Sequence, residues 1–152
     1  RMIIDFQRPA DFIAPHGEPL RLIDAGWLRN TLTVSLAGAS AELLLDTAAS
    51  SAIHLDSAFV DQTPALKALP VSSRQISGID GIRDVDAIVV PHITFGGQPF
   101  ENVRATSGSL ARIELGSTDI DGIAGVALLK RFHLVIDFAR NRVWMTANDS
   151  AP

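Results

Sequence analysis

The chain has 152 residues, about the size of one domain, and 47% of them are hydrophobic, enough for a real core without disulfides. Its 13 Lys and Arg stand against 17 Asp and Glu, a formal net charge of −4, which argues against the basic face of a nucleic-acid binder. Cysteine is absent, which removes disulfide scaffolds, zinc–thiolate sites and cysteine nucleophiles. The longest apolar runs, such as Leu43-Leu44-Leu45 and Ala87-Ile88-Val89-Val90, fall far short of the roughly 20 residues a membrane helix needs. The sequence starts at Arg1 and not Met, as a trimmed or processed product would, so the lack of a signal peptide carries no weight.

Taken in order, the segments are mostly β, with short runs of Val, Ile, Leu and Thr punctuated by Gly, Asn, Asp and Pro. Residues 27–36 alternate faces through Leu28, Leu32, Val34 and Leu36, and Ala37-Gly38-Ala39-Ser40 makes the turn. The returning strand, 42–45, has consecutive leucines, which predicts burial on both faces. Asp46 follows directly, and a carboxylate placed there without a partner would be costly to bury. Residues 74–77 and 83–90 read as two strands around Gly78-Ile79-Asp80-Gly81, a hairpin signal. A further hairpin is expected from 93–95, Gly96-Gly97 and 100–105, followed by loop with a short strand over 107–121. The spacing of Val126, Leu129 and Phe132 predicts one short helix over 126–132, with Lys130 and Arg131 near its end. Strands 134–138 and 143–146 close the chain around Arg140-Asn141-Arg142.

One internal echo bears on organisation. Met2-Ile3-Ile4-Asp5-Phe6-Gln7-Arg8 matches Leu134-Val135-Ile136-Asp137-Phe138-Ala139-Arg140 in residue type. The expected division is therefore a terminal strand at 1–8 from a preceding homologous lobe, a linker and leading strand at 9–26, the lobe itself at 27–147 and a tail at 148–152.

Leu43-Leu44-Leu45-Asp46-Thr47-Ala48-Ala49-Ser50 resembles the hydrophobic-hydrophobic-Asp-Thr-Gly-Ala-Ser signature of retropepsin-like and pepsin-like aspartic proteases. Gly122-Ile123-Ala124-Gly125, about 75 residues later, resembles the second signature of that family, and the run through Phe132 and Ile136-Asp137-Phe138 resembles the end of bacterial retropepsin-like lobes. The resemblance implies a closed, mostly antiparallel β-barrel of the pepsin/retropepsin type with one short helix. It implies that Asp46 is one of two carboxylates that share a proton and polarise water against a peptide carbonyl. Thr47 would bond across to the other half-site, and Ser50 would support Asp46 from behind. Ser77, Gly78, Ile79, Asp80 and Gly81 would form a flap over bound peptide. Ile123, Ala124 and Gly125 would cross behind the loop of Ala48, Ala49 and Ser50, with Gly125 allowing close backbone approach.

Ala48 stands where the family usually has glycine, and a positive φ there would cost alanine about 1 kcal/mol. With one Asp-Thr signature in the chain, the resemblance implies either a symmetric dimer or a partner Asp in a preceding lobe. The substrate would be a peptide or protein; no cofactor and no metal are expected, and bacterial relatives point to the periplasm or cell envelope.

Other patterns lack supporting context. His16, His54, His92 and His133 show no metal-ligand spacing, Asp119 and Asp121 lack the rest of a calcium loop, and no Gly-x-Ser-x-Gly elbow is present. Asp5 and Asp137, inside apolar strands, are expected to be structural, paired with backbone or a nearby Arg. The functional expectation is aspartic-type peptide hydrolysis. The alternatives are a catalytically impaired lobe that binds peptide or protein, and a structural lobe supporting a site elsewhere.

Overall fold

A computed structural model of the chain describes residues 7, 12–24, 30–78, 81–110 and 120–148. In chain order its elements are β1 (Leu20–Arg21), β2 (Ile23–Asp24), β3 (Asn30–Leu36), β4 (Ala39–Asp46), β5 (Ile53–Asp56), α1 (Ser57–Gln62) and α2 (Pro64–Lys67). They continue with β6 (Ser72–Gly78), β7 (Gly81–Phe95), β8 (Gln98–Gly108), β9 (Gly122–Gly125), α3 (Val126–Leu129), β10 (Phe132–Asp137) and β11 (Arg142–Ala147).

Strand β3 shows why these segments pair. Leu32, Val34 and Leu36 are buried while Thr33 and Ser35 between them are exposed, the period of two that gives a sheet one apolar face. Sheet order is β2-β3-β4-β9-β5-β8-β7-β6, and β3 also pairs with β7, so six strands (β3, β4, β9, β5, β8, β7) close into a barrel. A second sheet, β1-β11-β10, lies in the same chain. The barrel core is apolar and continuous, with Leu36, Leu43, Ile53, Leu55, Val90 and Phe95 among its fully buried members. Each such side chain stabilises the fold by about 1.5–3 kcal/mol relative to exposure.

Several expectations change on the structure. Residues 83–90 and 93–95 belong to one strand, β7, in which Pro91 is tolerated because the ladder to β8 skips it between Val90↔Val103 and His92↔Glu101. Asn102, on the facing strand, takes a φ of 53°. The late helix is a single turn, Val126–Leu129, because Phe132 belongs to β10 and packs its ring against Phe95 and Phe100. Helices α1 and α2 were not expected. Asp56 caps α1 by accepting the Ala58 N–H at 2.8 Å, and Pro64 stands at the start of α2, where its missing N–H is harmless. The Gly96-Gly97 hairpin is as expected, with φ of 59° and 75°, the geometry a two-residue type I′ turn requires. Residues 1–6, 8, 27–29, 79–80 and 111–119, on which parts of the echo, the first strand, the flap tip and the loop fall, lie outside the described residues, as do Asp5 and Asp119.

One buried polar group closes the β10–β11 turn, and another joins β5 to β8 in the barrel. Asp137 is held by Arg140, whose guanidinium donates at 2.9 Å and whose backbone N–H donates at 3.2 Å, and these bonds hold its carboxyl below the ordinary range. His54 lies on β5 between Ile53 and Leu55, on the face turned from the main core. Its Nδ1 is 2.8 Å from Thr106 Oγ1, and that hydroxyl lies 3.4 Å from Ile53 O, to which it donates. The network therefore assigns the ring proton to Nδ1 and leaves Nε2 a bare, buried acceptor. Burial first, then the nearby Arg83 charge, pushes this imidazole below its ordinary value, while Asp56 acts in the opposite sense.

The sign of the pH effect follows from where the proton goes. The unfolded chain takes up a proton on His54 near pH ~6.5, whereas the folded chain does so only at lower pH, so stability falls as pH drops below that point. Thermal unfolding from neutral pH to pH 5 should show the wild-type chain losing more stability than His54→Gln, which cannot titrate. Parallel pH profiles for the two proteins would remove His54 from this role.

Candidate active site

Asp46 ends β4, and its position is set by the strand beside it. β4 runs parallel to β9 in the register Leu43↔Gly122, Leu44↔Ile123, Leu45↔Ala124 and Asp46↔Gly125. β9 in turn pairs antiparallel with β5. All four residues of β9 are buried. A Cβ built on Gly125 would lie 2.3 Å from Ser51 O and 2.7 Å from Ala49 O, so only glycine lets the two backbones meet here. Three main-chain donors then fasten the loop: Gly125 N–H to Ala52 O at 3.0 Å, Val126 N–H to Ala49 O at 2.8 Å and Ala127 N–H to Ser51 O at 3.3 Å.

Within that loop the Asp46 side chain is half-buried, and its Oδ1 accepts the Ala48 N–H at 2.7 Å. This is an Asx-type turn, in which the carboxylate is oriented by its own backbone two residues on. Thr47, Ala48 and Ser50 are exposed, and Ala49 is half-buried. The carboxylate bond thus comes from Ala48 N–H; none of the described hydrogen bonds joins Ser50 to Asp46. Ala48 is absent from the described residues of positive φ, which are Ala37, Asn102 and Asn141 outside the glycines, so alanine sits there without backbone strain.

Leu43 and Leu44 point to opposite sides, as the consecutive leucines predicted. Leu43 enters the barrel core, and Leu44 joins Ala49, Leu110, Ile120 and Ile123 in a second apolar cluster. Leu44 and Asp46 are two residues apart on one strand and share a face, so this cluster borders the carboxylate. Ala124 faces the other way, into the main core.

The β6–β7 hairpin carries the flap candidates. Ser77 is exposed on β6, Gly78 pairs with Gly81 at the hairpin end, and Ile79 and Asp80 lie outside the described residues. A groove of about 970 Å³ brings the arm of this hairpin (72–74 and 87–89) together with the loop residues 50–53, strand β8 and the α3–β10 junction. Asp46 and Thr47 do not line it.

Residues without a recognisable sequence signal complete the surroundings. Asp121 Oδ2 accepts the Glu42 N–H at 2.9 Å, Asp121 N–H donates to Glu42 O at 2.9 Å, and Asp121 O accepts the Asp56 N–H at 2.8 Å. Asp56 Oδ2 accepts the Leu110 N–H at 2.8 Å. These contacts lock the start of β9 between β4 and β5, which is a structural task and not a calcium loop. Among the described residues no group of three or more His, Asp or Glu could hold a metal ion, and no helix is long and apolar enough to cross a membrane.

No family model matches the sequence, and no curated protein matches it. Among solved structures, the chain is similar to a retropepsin-like aspartic protease from Rickettsia conorii, with a TM-score of 0.55 and 20% identity over 86% of this chain and 89% of that one. The mainly β architecture with a closed six-stranded barrel is thus the fold expected from the sequence resemblance.

Two substitutions check the loop geometry. Gly125→Ala must displace backbone and should lower unfolding free energy by about 1–3 kcal/mol in urea titration; an unchanged midpoint would refute the close approach. Ala48→Gly should destabilise by about 0.4–1 kcal/mol through the unfolded chain, and a gain in stability would mean the loop demands glycine's φ.

Proposed function

We propose that Asp46 supplies one carboxylate of a two-aspartate dyad that hydrolyses peptide bonds, the second coming from another copy of this chain or from a homologous lobe preceding it in a longer protein. The observation that carries this is the seating of Asp46 at the end of β4, clamped by β9 through Gly125, in a barrel that has the fold of a retropepsin-like aspartic protease.

The chemistry needs both carboxylates. One accepts a proton as a bound water attacks the peptide carbonyl carbon; the other, protonated, donates to the developing oxyanion, and the leaving amine is protonated as the C–N bond breaks. In this role the exposed Thr47 reaches the opposing half-site and sets the spacing of the two loops. Leu44 and Ala49, the half-buried members of the second apolar cluster, supply a surface for a substrate side chain beside the carboxylate, backed by Leu110, Ile120 and Ile123. The peptide lies extended between the Asp46 loop and the hairpin of Ser77, Gly78, Ile79, Asp80 and Gly81, held by strand-like hydrogen bonds.

One observation favours a second reading, a lobe that binds peptide or protein without hydrolysis: the groove of about 970 Å³ borders residues 50–53 and leaves out Asp46. Asp46→Asn separates the two. In a peptide-cleavage assay near pH 5, run beside a sedimentation series, cleavage should track the dimer fraction or the addition of the preceding lobe. Asp46→Asn should lower kcat by roughly a thousandfold or more, the scale for removing one member of a concerted catalytic unit. Cleavage that survives this substitution sinks the dyad; peptide binding without cleavage in every assembly favours the second reading.

A further inference from the structure

The groove beside the Asp46 loop is basic on an acidic chain. Arg74 on β6, Arg104 on β8, and Lys130 and Arg131 at the α3–β10 junction reach it from three sides. Among the described residues that line it, the one carboxylate is Glu101, which is already engaged by His92 Nδ1. Among the described residues, none of the ion pairs involves any of these four cations. Arg74, Arg104 and Lys130 are exposed, and the Arg131 guanidinium rests over the Phe100 ring at 5.3 Å from its centroid. A formal charge of −4 over the whole chain makes four unpaired cations about one groove a local reversal of sign. Such a concentration raises the local density of anions and orients them on approach.

We propose that this groove binds the acidic flank of an extended peptide, so that acidic residues some distance from the scissile bond select the substrate. The proposal rests on the peptide-hydrolysis reading, since it takes the occupant to be the continuation of a peptide placed at Asp46. Two features favour a peptide over another polyanion. The groove starts at Ser50, four residues beyond Asp46 in the chain. And β6, which forms one wall, is the last strand of its sheet, and among the described residues no strand pairs with its outer edge, where a further strand could add. A polynucleotide would instead call for open aromatic faces, whereas the aromatic ring lining this groove, Phe100, is covered by Arg131.

The test uses the whole chain carrying Asp46→Asn, so that hydrolysis cannot consume the probe, and a fluorescein-labelled dodecapeptide rich in aspartate and glutamate. Anisotropy titration at about 0.1 M salt, where exposed charges still act across a groove, compares it with the asparagine–glutamine analogue. The acidic peptide should bind about tenfold more tightly. The double variant Arg74→Gln, Arg104→Gln should lose most of that preference while keeping the same thermal midpoint, because both side chains are exposed. Equal binding of the acidic and amide peptides, a preference that survives the double variant, or oligothymidylate binding as tightly as the acidic peptide would each overturn the proposal. Failures of the two readings stay distinct. Acidic-peptide binding without cleavage by the unsubstituted chain in every assembly, dimeric or joined to the preceding lobe, refutes hydrolysis and leaves the groove standing, whereas cleavage indifferent to flanking charge refutes the groove alone.

Discussion

The rest of the structure depends on how closely one strand of four residues lies against its neighbours. Strand β9 is fully buried between β4, which it meets in parallel, and β5, which it meets antiparallel. At both of its ends a side chain would collide with main chain: a Cβ on Gly122 would lie 2.6 Å from His54 O, and one on Gly125 2.3 Å from Ser51 O. Their φ values are not the reason, since Gly125 is extended at φ −99°, ψ 178°. Space is. With side chains removed from the contact, backbone donors reach backbone acceptors directly, and the loop after Asp46 is held by bonds that no rotamer change can loosen.

That arrangement lets the short strand β4 serve two environments. Leu43 contributes to the barrel core, while one residue on, Leu44 turns to the second cluster that Ile123 and Ala49 share. Asp46 follows on the Leu44 side, its carboxylate drawn back by Ala48 N–H and so fixed relative to β9 before any partner arrives. Polar ties keep β9 in register at its start. Asp121 and Glu42 exchange main-chain and side-chain bonds across the β4–β9 pair, and Asp56 joins β5 both to α1 and to the residues after β8. The Asp121 and Asp56 carboxylates accept from backbone N–H groups and that of Glu42 from the Thr31 and Thr33 hydroxyls, the compensation that makes a partly buried charge tolerable.

Much of this was legible in the residues. Asp46-Thr47 after three leucines and the glycine-flanked Ile123-Ala124 segment marked the pair of strands that carry the loop. Gly96-Gly97 marked a tight hairpin, and Asp137 inside an apolar strand called for backbone or a nearby Arg as its partner; Arg140 supplies both. What escaped depends on distant contacts or very short elements. Strand β5 is four residues long, and nothing local distinguishes His54 from the three other histidines; its hydrogen-bond partner, Thr106, is 52 residues away. Helices α1 and α2 have too few residues to show a period, and owe their place to the Asp56 cap and to Pro64. Pro91 broke the expected strand because its lost N–H is visible in sequence while the skipped ladder pair is not. The contact of Trp144 Nε1–H with Gly17 O, spanning 127 residues, has no local signature at all.

Ala48 draws these points together. From sequence, alanine where retropepsin-like proteases usually have glycine raised two costs: a methyl group crowding the substrate or partner loop and, were φ positive, backbone strain. The loop instead turns through the Asp46 carboxylate and keeps Ala48 outside the positive-φ region, with its methyl exposed. The backbone therefore has no need of glycine at this position, and any cost of the methyl group falls on what approaches from outside. In the proposed dyad that approaching surface is the opposing loop and the bound peptide, so there the methyl group of Ala48 would bear on the spacing between half-sites. The positions where glycine is required, Gly122 and Gly125, lie behind the loop, where the approaching surface is the chain's own backbone. The close packing that fixes the loop and the spacing on which the proposed dyad depends thus rest on different residues.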